Sequence, residues 1–301
     1  MAAGAALNQL IVSTINNSFA SYTYDELVIG KLAKTDFKEN VKKGTQVDIL
    51  MPTRVSITKG YDGGAISEAE KIDQSRTSVF TDEGYYFNFG IDDMQLEEIK
   101  RTPDKDKLPK IQELTTDAYK QVSAAVDESY GKLYHRAGIK LDNNGSAITL
   151  TASNAPQILA YMETKFKQGD GNGHTNWING KMAAILPPAF TYYLVTLDSF
   201  KFTERGNKKI EAGFIGELYG WKIYESNNIA SPETDVYYPL FGVIGATLAG
   251  AASKTPKAEH YRPHLKFQDC YKGFGFYGVG APRADMLGTA AIKAPLTITT
   301  T

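Results

Sequence analysis

Few residues in this chain have types and spacing that could do chemistry, and each is undercut by its neighbours. Gly273-Phe-Gly275-Phe-Tyr-Gly278 has the glycine spacing of a dinucleotide-binding turn. Such a turn works because a helix opens directly behind it and offers its N-terminus to a pyrophosphate. Here the flanking residues are aromatic and strand-like and no helical pattern follows, so close strand packing is the expected role of the glycines. His260 and His264 are four apart, but Pro263 between them breaks the helix face that a metal-binding pair would need, and both read as exposed loop histidines. Asp170-Gly-Asn-Gly-His174 opens like a calcium loop, yet its twelfth position is Lys181, where a bidentate acid is required. The acidic run Asp92-Asp93 and Glu97-Glu98 has neither a nucleophile motif nor a phosphate loop beside it and reads as a solvated face. Cys270, the single cysteine, is expected to be a small buried hydrophobe, and Trp177 and Trp221 to fill core or interface. No catalytic residue, metal site or cofactor site is expected.

Composition narrows the remaining classes. Thirty-three Lys and Arg nearly balance 34 Asp and Glu, giving a net charge of −1, so there is no basic field to draw in a polyanion. With 42% hydrophobic and 22% charged residues the chain is composed like a folded globular protein. One cysteine fits a reducing compartment better than a disulfide-stapled secreted protein. The N-terminus lacks the basic start and unbroken apolar core of a signal peptide. The most apolar stretch, Val236 to Gly250, is shorter than the roughly 20 residues of a membrane helix and reads as buried strand.

The first fifty residues read as an arm, with a short helix around Ala6 to Phe19 and little core of its own. From Gly44 the period changes to two: Val47, Ile49 and Met51, then Val55 and Ile57, point one way. Gly60-Tyr-Asp-Gly-Gly64 and the polar run Ser67, Glu68, Glu70, Lys71, Asp73 and Arg76 form a loop or hairpin tip. The chain returns through Val79-Phe80 and the strict alternation of Tyr85, Phe87, Phe89 and Ile91. A two-stranded excursion over 54–85 has too little apolar area to stand alone in water, so support from a neighbouring subunit is expected.

A long helix follows over about 108–137, with Leu108, Ile111, Leu114, Ala118, Val122, Ala125, Val126 and Leu133 as its apolar stripe. Pro109 suits its first turn, His135 and Arg136 its last, and Gly138 its C-cap. At about 1.5 Å per residue it is a strut roughly 45 Å long. A second helix is expected from Ser153 as N-cap to Lys167, with Ile158, Leu159, Met162 and Phe166 inward. After a glycine-rich loop, Met182 to Leu186 reads as buried strand, and Phe190 to Leu197 as a short helix whose aromatics also permit strand. From Ile210 the pattern is strand-rich: Phe214 to Tyr224, Val236 to Leu248, Leu265 to Val279. The fold class is α+β, with no internal repeat.

This order of parts resembles the HK97-type major capsid proteins of tailed bacteriophages. The resemblance is carried by Gly44-Thr-Gln-Val-Asp-Ile-Leu-Met-Pro-Thr-Arg54, Tyr61-Asp-Gly-Gly64, Tyr85-Tyr-Phe-Asn-Phe-Gly-Ile-Asp-Asp-Met94 and Gly213-Phe-Ile-Gly-Glu-Leu-Tyr-Gly-Trp-Lys-Ile-Tyr-Glu-Ser-Asn-Asn228, taken in that order. It implies an N-arm at 1–53, an extended E-loop at 54–85, a peripheral domain at 86–140 and 271–301 holding the long spine helix, and an axial domain at 141–270. It implies intersubunit contacts at Gly60, Tyr61, Asp62, Gly63, Gly64, Glu68, Glu70, Lys71, Asp73 and Arg76. Asp170, Asn172 and His174 would lie in a loop at the capsomer axis. The implied partners are further copies of the chain in hexamers and pentamers, a portal protein, a separate scaffolding protein or none, a decoration protein in some heads, and packaged double-stranded DNA held non-specifically. No membrane is involved, and the implied location is the virion, after assembly in the host cytoplasm. Some relatives join loop and peripheral domain by a lysine–asparagine bond; Lys59 and Lys71 are the lysines in position, and no partner residue is matched.

Three other readings stay open on the sequence. An encapsulin-like compartment would share the fold and enclose an enzyme. A tail-tube or surface-layer subunit would assemble into tubes or flat lattices. A cytoplasmic enzyme would need a concave pocket with perturbed acids or bases.

Overall fold

The computed structural model describes residues 27–34, 46–50, 68, 76–93, 120–169, 175–195, 201–202, 213–252 and 257–294. In chain order, a 3-10 turn at Ile29–Leu32 leads to β1 (Ala33–Lys34), β2 (Gln46–Leu50), β3 (Arg76–Phe80) and β4 (Glu83–Asp92). Helix α1 is described over residues 120–131 and tightens into a 3-10 turn at Lys132–Arg136. Then come β5 (Ile139–Leu141), β6 (Ile148–Thr149), α2 (Ala155–Gln168), β7 (Met182–Leu186), α3 (Pro188–Val195) and β8 (Lys201–Phe202). The rest is strand: β9 (Phe214–Leu218), β10 (Trp221–Glu225), β11 (Val236–Tyr237), β12 (Leu240–Val243), β13 (Leu248–Ala252), β14 (Lys257–Tyr261), β15 (Gln268–Gly280), β16 (Gly288–Ala290) and β17 (Ile292–Lys293). The α+β class is as expected.

A seven-stranded sheet, ordered β5-β16-β12-β7-β10-β9-β8, forms the middle layer of one half. Its centre is β7, buried at all five residues because both faces are covered. Met182, Ala184 and Leu186 point into a core with Ile158, Leu159, Met162 and Phe166 of α2. Ala183 and Ile185 point the other way, to Val126, Tyr130 and Leu133 of the α1 region and to Leu27, Ile29 and Leu32. Trp221 of β10 is fully buried, its Nε1 donating to the Leu159 carbonyl at 3.2 Å and its ring set edge-on to Phe166 and Trp177.

The other large sheet is organised around β15. One edge of β15 pairs with β4 from Gln268↔Asp92 to Tyr277↔Glu83, and the other pairs first with β14 and then with β13, which continues to β1. Two small sheets complete the fold, β2–β3 and β11–β17–β6. The boundaries expected at 140/141 and 270/271 fall inside β5 and β15, and β16 joins β5 and β12 in the seven-stranded sheet.

Local differences from expectation have simple causes. The N-cap of α2 is Asn154, not Ser153, because the Asn154 amide is fixed by the Thr151 N–H at 2.8 Å and the Thr149 carbonyl at 2.8 Å. Gly138 is not the helix cap, since Ala137 holds that place in extended conformation. Gly138 instead lies flat on the 284–285 backbone, its N–H bonded to the Ala284 carbonyl at 2.8 Å. Ala125 is exposed, because the buried stripe of α1 runs through Ser123, Val126, Asp127 and Tyr130. The part of the expected strut before residue 120 lies outside the described residues.

Candidate assembly surface

Within and beside the expected excursion at 54–85, most of which lies outside the described residues, β2 and β3 form a hairpin. It pairs from Gln46↔Phe80 to Leu50↔Arg76 and has no third strand among the described residues. One face is polar and exposed, with Ser78 Oγ donating to Asp48 Oδ1 at 2.7 Å and Gln46 Nε2 donating to Ser78 Oγ at 2.8 Å. Val79 and Thr81 are buried where the hairpin crosses β15, and Gly278 and Gly280 permit the crossing. A Cβ on Gly278 would lie 2.1 Å from the Phe80 carbonyl oxygen, so only glycine fits under that backbone.

The β4–β15 sheet has two unlike faces. On one, Tyr85, Phe87 and Phe89 alternate inward across Gly275, Gly273 and Tyr271. A Cβ on Gly273 would sit 2.4 Å from the Phe87 ring and one on Gly275 2.4 Å from the Tyr85 ring. The glycine run that mimics a cofactor fingerprint is therefore a row of seats for aromatic rings, in line with the strand-packing expectation. On the opposite face Tyr86, 83% exposed, stands beside its cross-strand partner Phe274, 43% exposed. Around them are Lys272 with Glu259 at 3.5 Å, and Asn88 accepting from the Tyr261 hydroxyl at 3.1 Å. Cys270 is buried against Gly90, as expected.

A charged corner ties the β14–β15 turn to the end of β4. Arg262 bonds Asp93 at 2.5 Å and Asp269 at 3.5 Å, the His260 ring lies 3.0 Å from Asp269, and the Asp93 N–H donates to the Phe267 carbonyl at 3.0 Å. His260 is thus a part-buried strand residue, not a loop histidine, because pairing with Tyr271 of β15 draws it into β14, which runs to Tyr261. His264 is exposed in the turn, and so are Leu265 and Phe267, at 83% and 84%.

Beneath this surface, α1 ties neighbouring elements together with polar side chains. Ser129 Oγ donates to Glu83 Oε2 at 3.0 Å and shares a 3.1 Å hydrogen bond with the Tyr277 hydroxyl. Burial, then the bond to Glu83, pushes the Tyr277 phenol up to about 12. Asp127, two residues earlier, accepts from the N–H groups of Ile29 and Gly30, and burial raises its carboxyl above the ordinary range. Among the described residues no group of three His, Cys, Asp or Glu could hold a metal ion, and no helix is long and apolar enough to cross a membrane.

Gly60, Tyr61, Asp62, Gly63, Gly64, Glu70, Lys71 and Asp73 lie outside the described residues, as do Asp170, Asn172 and His174. Glu68 is exposed, and Arg76 opens β3 opposite Leu50. Sequence reasoning missed Leu265 and Phe267, which it took into a strand; the signal was an apolar pair directly after Pro263 with charged residues around it. It also passed over Asp127, since one acid in an amphipathic stripe looks like an edge position.

No family model matches the chain, and no curated protein does. Solved structures do. A chain of Mycobacterium phage Che8 superposes with a TM-score of 0.62 at 18% identity, over 88% of this chain and 90% of that one. The capsid of Ralstonia phage GP4 gives 0.61 at 12% identity, over 92% and 89%. A virus-like particle from Pyrococcus furiosus gives 0.53 at 12% identity, over 93% and 98%. Two sheets around β7 and β15, the β2–β3 hairpin and a helix crossing between them make this the HK97-type fold of phage capsids.

Proposed function

We propose that the chain is a major capsid protein that self-assembles as pentamers and hexamers into an icosahedral or prolate head enclosing double-stranded DNA. The observation that supports this best is that the likeness runs over about nine-tenths of both chains, 92% and 89% for the Ralstonia phage capsid. The open face of the β4–β15 sheet and the exposed Leu265–Phe267 turn are the kind of apolar surface that a partner copy would cover. In this reading the protein works by shape and repeated modest interfaces, not by catalysis. Residues 1–53 serve as the arm, 54–85 as the E-loop, and Glu68, Glu70, Lys71, Asp73 and Arg76 set intersubunit register. The β15 sheet with α1 is the peripheral half, and the seven-stranded sheet, including β16, is the axial half. The loop with Asp170, Asn172 and His174 lies at the capsomer axis. Its partners in this reading are a portal protein, a separate scaffolding protein or none during assembly in the host cytoplasm, and a decoration protein in some heads.

Negative-stain microscopy of the recombinant chain after size exclusion, alone and with a scaffolding protein, tests this. Closed shells, or free pentamers and hexamers, are expected. Tubes, sheets or a stable monomer under both conditions would remove the reading. A second reading, an encapsulin-like shell around an enzyme, would be selected by shells purified from the native host that hold protein instead of DNA.

A further inference from the structure

Leu27–Leu32 is held by its buried Leu27, Ile29 and Leu32, by the N–H groups of Gly245 and Thr247 on the Lys31 and Leu32 carbonyls at 2.8 and 3.1 Å, and by Asp127 of α1, only 2% exposed. Its Oδ1 accepts the N–H of Ile29 at 2.8 Å and of Gly30 at 3.0 Å, so the carboxyl caps the 3-10 turn from another element. Its Oδ2 is held loosely, by the Ser226 hydroxyl at 3.5 Å and the Asn228 amide at 3.4 Å.

Among the described residues no cation answers this carboxyl. Lys31, on the capped turn, sits over the Tyr224 ring at 4.2 Å. On α1, Glu128 and Lys132 pair with each other at the surface, 2.9 Å apart. From β10, Glu225 takes the Thr191 hydroxyl of α3. Ser123, one turn before Asp127, adds a buried hydroxyl that has no partner among the described residues.

We propose that Asp127 is a proton-controlled latch on Leu27–Leu32, closed firmly when its carboxyl is neutral and loosened when it ionises. Ser226 and Asn228 both point their donors at Oδ2, at long reach, so a neutral acid keeps the two close N–H bonds of Ile29 and Gly30 on Oδ1 and gives up only the loose contacts on Oδ2. An ionised carboxyl gains stronger hydrogen bonds, but its charge is shut away from water with no opposite charge beside it.

The sign follows from linkage. With the segment released, Asp127 meets water and titrates near the ordinary 3.8; with it seated, burial outweighs the hydrogen bonds and holds the value higher. Closure therefore takes up a proton. Raising pH from 3.8 through the raised value favours opening, and the effect levels off above it. The inference does not depend on the shell reading.

The test is hydrogen exchange at the Ile29 and Gly30 amides of the full-length protein, corrected for intrinsic rates, from about pH 4 to about pH 8. Wild-type protection is expected to fall as pH rises. Asp127→Asn, neutral and isosteric, should show flat protection that exceeds wild type several-fold at the top of the range. Asn228→Ala, which removes a donor to the ionised form, should move the wild-type midpoint to higher pH and remains informative if the Asn variant misfolds. Wild-type protection without pH dependence, an Asn variant less protected than wild type near neutrality, or an unmoved midpoint in Asn228→Ala would each overturn the latch.

Discussion

The two large sheets of this chain are written in different codes. β7 is apolar at every residue and buried on both faces, as a middle layer must be. β4 alternates, one face seated on its own chain and the other carrying Tyr86 into solvent beside Phe274. The seven-stranded sheet spends its apolar residues inside the subunit. The β15 sheet keeps part of its own on the outside, at Tyr86 and Phe274.

The largest expected effect belongs to the residues between β2 and β3. Replacing residues 60–75 with a short Gly-Ser linker, leaving β2 and β3 intact, should give a folded monomer that makes no shells by light scattering. Normal shells would end the intersubunit role. Next comes the seven-stranded sheet: Trp221→Ala removes a fully buried indole and should cost about 3–5 kcal/mol in urea unfolding. Gly273→Ala pushes a methyl into the Phe87 ring and should cost about 1–3 kcal/mol by overpacking. A neutral result would mean that the ring has somewhere else to go.

Alkali should find the β15 sheet before the other. Burial first, then neighbouring acid, pushes Tyr271 and Tyr277 from 10.0 to about 12. Between those values the unfolded chain has already lost protons that the folded one keeps, so stability present below pH 10 is lost as pH rises toward 12. Circular dichroism should show less of this alkaline loss in Tyr277→Phe. The smallest effect on folding is expected from Tyr86→Ser with Phe274→Ser, within about 0.5 kcal/mol because both are exposed. A large loss would show that this face is part of the subunit's own core.

What the sequence disclosed was local. The run Met182 to Leu186 announced a strand covered on both sides, the spacing of Ile158, Leu159, Met162 and Phe166 the inner face of α2, and Tyr85, Phe87 and Phe89 a one-faced strand. Even the glycines around Phe274 were legible as strand packing. What it withheld was pairing at a distance. Nothing in Glu83–Asp92 names Gln268–Gly280 as its partner, so the aromatic seats on Gly273 and Gly275 could not be assigned. His260 looked like a loop residue because Pro263 follows closely, while its strand is set by pairing with Tyr271. Asp127 is meaningful only beside the backbone of Ile29, nearly a hundred residues away.

The length of β15 has a mechanical consequence. β4 lies antiparallel along it from Glu83 to Asp92, and the β2–β3 hairpin crosses it at Gly278 and Gly280. Inter-strand hydrogen bonds run perpendicular to the strands. A pull along β4 therefore loads the whole ladder at once, in shear, where a pull across it would open the rungs one by one. Load on β15 passes to β13 and β14 on its far edge. This sheet resists tension along β15 more than tension across it.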